Sequence, residues 1–216
     1  MQPNEIEKLS FKIIDSEAGG HSFDERQWPI VRRMVHTSAD FDYMQTVRIH
    51  KKAIDAGITA IHSGKNIITD THMARAGIRK KSIQEFGGET FCFIQDPDVV
   101  SAAKKNGTTR SREAVDYSVE QMDGGIYVVG NAPTALLRLI ELIKENKATP
   151  ALIIGLPVGF VNAAESKAML AELDYPHITN SGRKGGSNIA ASVVNALILL
   201  AQQGESLAQG KDSKKV

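Results

Sequence analysis

Cysteine is almost absent from the sequence: of 216 residues, only Cys92 carries a thiol. One thiol cannot form an intramolecular disulfide, and it argues against a zinc site built on cysteine. A surplus of one charge is missing too. Lys and Arg total 26 and Asp and Glu 25, for a net charge of +1. Without a basic excess there is no electrostatic case for a nucleic-acid partner. No apolar run approaches the ~20 residues that cross a bilayer. The opening stretch, Met1 to Glu7, lacks the basic and apolar regions of a signal peptide. A cytoplasmic protein with no membrane partner is the expectation. Signatures of nucleotide and hydrolase chemistry are missing as well. Gly182 to Ser187 lacks Walker A spacing, Gly155 and Gly159 are not in G-x-G-x-x-G form, and there is no G-x-S-x-G elbow. Among His21, His36, His50, His62, His72 and His177, no pair has i,i+4 spacing beside a carboxylate motif, so no protein-bound metal is expected.

What is present is an ordinary globular composition, 42% apolar and 24% charged, arranged as short apolar runs alternating with helical periodicity. Asn66 to Asp70, Thr90 to Ile94, Ile126 to Gly130, Ala151 to Gly155 and His177 to Asn180 read as strands, and Thr46 to Ile49 as a shorter one. Cys92 falls inside the second of these runs and reads as packing. Helical spacing covers Lys51 to Ser63, Asp98 to Lys105, Ser111 to Gln121, Pro133 to Lys144, Ala163 to Leu173 and Ser187 to Gln202. Ser22 to Glu25 has the form of a capping box and predicts a helix start, with Pro29 inside the helix. This alternation predicts one α/β domain over residues 1–203, with a largely parallel central sheet flanked by helices. The polar stretch 204–216 is expected to be a disordered tail. The helix Ser187 to Gln202 is apolar on nearly every side, so it needs cover all round, from this chain or a partner subunit.

The candidate chemistry gathers on one segment and two loops. His36 ends the apolar, basic stretch Val31 to Ser38, with Arg33 three residues and Arg32 four residues before it, on neighbouring positions of one helical face. An imidazole exchanges a proton near neutral pH, and a guanidinium offers a rigid fork to a carboxylate. In a parallel sheet, ligands sit outside the carboxyl ends of the strands. There Gly130 to Thr134 offers Asn131 and Thr134, and Gly182 to Ser187 offers Arg183, Lys184 and Ser187, each beside a helix N-terminus suited to an anion. Arg110 sits at a helix start, where a cation opposes the dipole, which suggests a ligand contact.

Taken together, Arg33 to His36, Gly130 to Leu136, Gly155 to Val161 with Ala164 to Lys167, and Gly182 to Ser187 resemble the precorrin-8X methylmutase family, also seen as cobalt-precorrin-8 methylmutase. The likeness runs from about Ser10 to about Leu200. It implies an isomerase of cobalamin biosynthesis that moves a methyl group from C-11 to C-12 of an anionic tetrapyrrole. The product would be hydrogenobyrinate, or cobyrinate when the substrate carries cobalt. The resemblance implies no redox cofactor. It makes His36 the catalytic histidine, places Ser10 and Arg33 on the substrate, and puts Arg110 in a matching context. It also implies a homodimer with parts of both subunits near the site, and favours a partner subunit as cover for the apolar helix. Two positions depart from the family: Ala39 stands where many members have glycine, and Ile49 to Lys51 replaces a commoner Ser-Pro turn. A non-catalytic tetrapyrrole carrier of the same fold is the alternative.

Overall fold

The computed structural model describes residues 2–212. The described residues form six strands: β1 (Val47–Ile49), β2 (Ile67–Thr69), β3 (Thr90–Phe91), β4 (Ile126–Val129), β5 (Leu152–Gly155) and β6 (His177–Asn180). They form one sheet in the order β1-β6-β5-β4-β2-β3. Every pairing is parallel except that of β1, which runs antiparallel on β6 with Val47 opposite Asn180. All residues of β4, β5 and β6 are buried. That is why these strands read as continuous apolar runs: a parallel sheet is covered on both faces.

The helices are α1 (Pro3–Ala18), α2 (Gln27–Ser38), α3 (Tyr43–Thr46), α4 (Ala53–His62), α5 (His72–Gly77), α6 (Lys80–Glu85), α7 (Pro97–Asn106), α8 (Arg110–Tyr117), α9 (Pro133–Lys144), α10 (Ala163–Ala171) and α11 (Ser187–Asp212). Two cores result. One joins Met34 and Val35 of α2, Ile61 of α4, Ile154 of β5 and Val194 and Leu197 of α11. The other joins Tyr127 of β4, Leu136 and Leu139 of α9, Ile153 of β5 and Leu170 of α10. Ile153 and Ile154 serve opposite cores because successive strand residues face opposite ways. One α/β domain with a mostly parallel sheet is thus the architecture, as the alternation predicts.

Several local expectations change. α11 packs against α2, α4 and α5 as well as the sheet, so this chain itself buries most of the apolar surface of α11, with Leu199 and Leu200 left half-buried. It also runs past Gln202 to Asp212, through most of the stretch expected to be a disordered tail; residues 213–216 lie outside the described part. Gly204 and Gly210 each weaken a helix by only about 1 kcal/mol, and extending a formed helix adds a hydrogen bond per residue. The start of α2 comes later than the Ser22 capping box implies. Asp24 does the capping, its Oδ1 accepting the N–H groups of Arg26 and Gln27 at 2.8 and 2.7 Å. Pro29 therefore sits in the first turn, where its missing donor costs nothing. β3 stops at Phe91, so Cys92 is half-buried just beyond a strand, not inside one. α6 has no counterpart in the sequence reading.

Candidate active site

β6 delivers the chain to the carboxyl edge of the sheet, and α11 departs from there. α2 reaches the same edge from the other direction, packed along α11. Its last turn carries His36. The imidazole is half-buried and lines a hollow of about 340 Å³ between α1 and α2, shared with Ser10, Ile13, Glu17, Ala39 and Phe41. Phe11 meets the imidazole edge-on, with ring centroids 5.1 Å apart. Among the described residues the imidazole has no protein hydrogen-bond partner, and neither ring nitrogen is a buried unpaired atom.

Ala39 closes α2. It adopts φ 53 and ψ 33, the left-handed region, and its N–H donates to Val35 O at 2.7 Å. The backbone turn that glycine makes freely is made here by a residue with a Cβ, at a cost of about 1 kcal/mol. Ala39→Gly is therefore expected to raise the melting temperature by roughly 2–4 °C; a fall measured by circular dichroism would refute the strain.

The structure groups Ser10 with His36 but sets Arg33 apart. Arg33 lines an adjoining hollow of about 200 Å³ with Glu7, Pro29 and Leu199. Its guanidinium pairs with Glu7 at 3.1 Å and lies 5.2 Å from the centre of the Phe11 ring. Phe11 stands between the two, touching Arg33 and His36. Arg32 packs over the same ring at 4.4 Å and pairs with Asp15. Phe11, Phe41 and Glu17 are lining residues that the sequence reading missed. The signal for Phe11 was its place beside Ser10.

The loop Gly130 to Thr134 does not offer its backbone to a bound anion as expected. The Asp70 carboxylate, 1% exposed, already accepts the N–H groups of Gly130, Asn131 and Ala132 at 2.9, 2.8 and 2.8 Å. Burial pushes the Asp70 carboxyl up, and these three donors offset only part of that rise. Asn131 is exposed beside them, while Thr134 Oγ1 accepts from Thr109 Oγ1 at 3.0 Å. Arg110 begins α8 and is exposed, with Thr109 as its N-cap. Arg110, Asn131 and Thr134 therefore share the α8–α9 side of the edge. Ser187 is buried, its Oγ bonded to Thr71 Oγ1 at 2.8 Å. Gly130 packs so close to Ser187 that a Cβ would lie 2.6 Å from the Ser187 Cα.

The far side of the α2 terminus faces a second hollow, about 400 Å³, lined by Thr37, Tyr43, Val158 and Lys184. Lys184 is not a free cation: its ammonium pairs with Asp40 and with Asp42, the latter at 2.7 Å. The hydrogen bonds to Asp40 and then Asp42 hold Lys184 above its usual range, and Asp40 is correspondingly lowered. Arg183 stacks over Phe160, 5.4 Å from the ring centre, and Phe160 is 84% exposed. Among the described residues no cluster of three or more His, Cys, Asp or Glu could hold a metal, and no helix is long and apolar enough to cross a membrane.

A family model described as precorrin-8X methylmutase matches residues 5–200. The chain is 50% identical to the cobalt-precorrin-8 methylmutase of Priestia megaterium, over 94% of this chain and 91% of that protein. It is 45% identical to the cobalt-precorrin-8 methylmutase of Leptospira interrogans, over 92% and 94%. A crystal structure of precorrin-8X methylmutase from Thermus thermophilus superposes with a TM-score of 0.87 at 45% identity, covering 93% of this chain and 97% of that one.

Proposed function

The chain belongs to the precorrin-8X methylmutase family, and we propose that its methyl migration takes place over the hollow between α1 and α2, with His36 as the proton donor. The protein is an isomerase of cobalamin biosynthesis. The reaction moves a methyl group from C-11 to C-12 of the same molecule, so no atom is gained or lost. Such a shift needs a held geometry and a proton placed to draw electron density through the conjugated ring. His36 lends that proton near ring C and recovers it after migration. The observation that carries this reading is an imidazole with both nitrogens unengaged by the described protein groups, in a hollow walled by Ile13, Phe41 and Ala39.

Ser10 shares that hollow and contacts the ring. Arg33, Arg110, Asn131, Thr134, Arg183, Lys184 and Ser187 serve the acidic arms or the loops that hold them. The two relatives named for the cobalt-bearing substrate support cobalt-precorrin-8 as the natural one. The setting is the cytoplasm. Incubation with cobalt-precorrin-8 and, separately, precorrin-8X, followed by absorption spectroscopy, tests the function. Conversion of a molar excess is expected, faster for the cobalt form; binding without conversion would leave only a carrier.

The working unit is a homodimer. At about 340 Å³, the His36 hollow is at the small end of sites that enclose even a drug-sized ligand, and a tetrapyrrole is larger, so further wall is needed. Ile6, Leu9 and Ile13 lie 52%, 45% and 48% exposed along α1. Their spacing of three and four puts them on one helical face, and Ile13 also lines the hollow. A partner seated on this stripe covers it and closes the site. Leu9→Glu is expected to shift the protein to monomer in sedimentation velocity and to depress turnover. A dimer at wild-type concentration dependence would move the interface elsewhere.

A further inference from the structure

Lys167 is a full-length cation placed where cations are not normally found. It lies on α10 and is 1% exposed. Lysines are almost never fully buried unless paired, and among the described residues no carboxylate stands within ion-pair distance of this one. An ammonium withdrawn from water without a counter-charge is costly, and methionine would fill the same space without that cost. The side chain must be retained for its donors.

Those donors go to the loop between β6 and α11. Lys167 Nζ donates to Lys184 O at 2.5 Å and to Asn180 Oδ1 at 3.2 Å. Asn180, also 1% exposed, donates from Nδ2 to the same Lys184 carbonyl at 3.0 Å and to Ser181 O at 3.1 Å. One carbonyl thus gathers two donors, and both ends of the loop are tied. On the other side the Gly186 N–H donates to Leu156 O at 2.9 Å. The Lys184 side chain, anchored at its own carbonyl, then crosses to Asp40 and Asp42. Asp40 directly follows Ala39, the cap of the helix turn that carries His36, and its N–H reaches Ser38 Oγ at 3.3 Å.

We propose that Lys167 is a positioning residue: its buried ammonium fixes the Lys184 carbonyl, so that the Lys184 side chain locks the segment that follows His36. The proposal rests on the assignment of His36 as the proton donor. Burial pushes the Lys167 ammonium down to about 8, so the group loses charge far more readily than a surface lysine while its two acceptors still demand donors.

The test is a double-mutant cycle of Lys167→Met and Lys184→Met, read by turnover of cobalt-precorrin-8 and by the His36 imidazole resonance in NMR, assigned with His36→Gln. Each single variant is expected to lower kcat roughly ten-fold or more, since a small misplacement of a reacting group has effects of that order. KM is expected to stay within about three-fold. The double variant should be no worse than the poorer single, because both act through one carbonyl and one loop. The His36 resonance should move in all three. Losses that multiply, an unmoved His36 resonance, or a raised KM with kcat intact would overturn the proposal, the last by making Lys184 a substrate contact. If Lys167→Met does not fold, Lys184→Met and Asp40→Asn still decide it, because the Lys184 side chain is 47% exposed. Unchanged kcat in both would refute the lock. A wild-type protein without turnover would refute the functional assignment instead, and the His36 resonance would still report on the lock.

Discussion

Replacing His36 with alanine is expected to lower kcat by about 10²–10⁴-fold, the range a positioned general acid contributes, while substrate still binds. Proton supply and ring binding are separate tasks. In the proposed mechanism the imidazole supplies a proton. In the proposed site, affinity for a large ring with acidic arms is assigned to apolar walls and to cations spread across the carboxyl edge. Alanine keeps the helix, since His36 lies in the last turn of α2 and the buried packing there is carried by Met34 and Val35. The expected pattern is therefore a collapsed kcat with a dissociation constant, followed by absorbance or fluorescence titration, within a few-fold of wild type. A variant turning over at more than a tenth of the wild-type rate would remove His36 as proton donor. A lost binding signal with kcat intact would make it a contact residue.

The second large effect is expected at Asp70, and it concerns stability. Asp70→Asn keeps the volume but replaces one oxygen with an NH₂ group. Three N–H donors, from Gly130, Asn131 and Ala132, then face a single acceptor and a competing donor. A buried donor left unmade costs about 1–3 kcal/mol, so a loss of roughly 3 kcal/mol overall follows, or about 6–12 °C in melting temperature for a chain of this size. The same change loosens the turn that presents Asn131 and Thr134, so KM should rise in the fraction that folds. A melting temperature within about 2 °C of wild type would show that the loop holds its shape without the carboxylate.

The parallel sheet was legible because its strands announce themselves: Ile126 to Val129 and Leu152 to Gly155 are apolar throughout, and only burial on both faces produces such runs. That Ser10 and His36 lie at one place in the fold was legible through the order of motifs along the chain. What was not legible depends on distant partners. Asp70 read as the end of a strand, and its three N–H donors come from a turn sixty residues on, which nothing local in the sequence joins to it. Lys184 read as a cation waiting for an anion because Asp40 and Asp42, its partners, lie far upstream. Lys167 sat inside a quoted motif and carried no signal of burial, since lysine is ordinarily a surface residue. The packing of α2, α4 and α5 on α11 was not legible for the same reason: periodicity states that a helix is wrapped, and says nothing about which elements wrap it.

The two borders of the sheet bear on assembly and solubility. β1 has three residues, with the exposed Arg48 at its centre, and β3 has two. A border this short presents too few free N–H and C=O groups to template a further strand, and a charge at its middle penalises an incoming one. Growth by strand addition, the route to domain-swapped sheets and fibrils, is closed at both margins. Among the described residues, helical faces rather than strand edges are left as the extended surfaces on offer to a second copy, and their use does not expose the chain to sheet-driven aggregation.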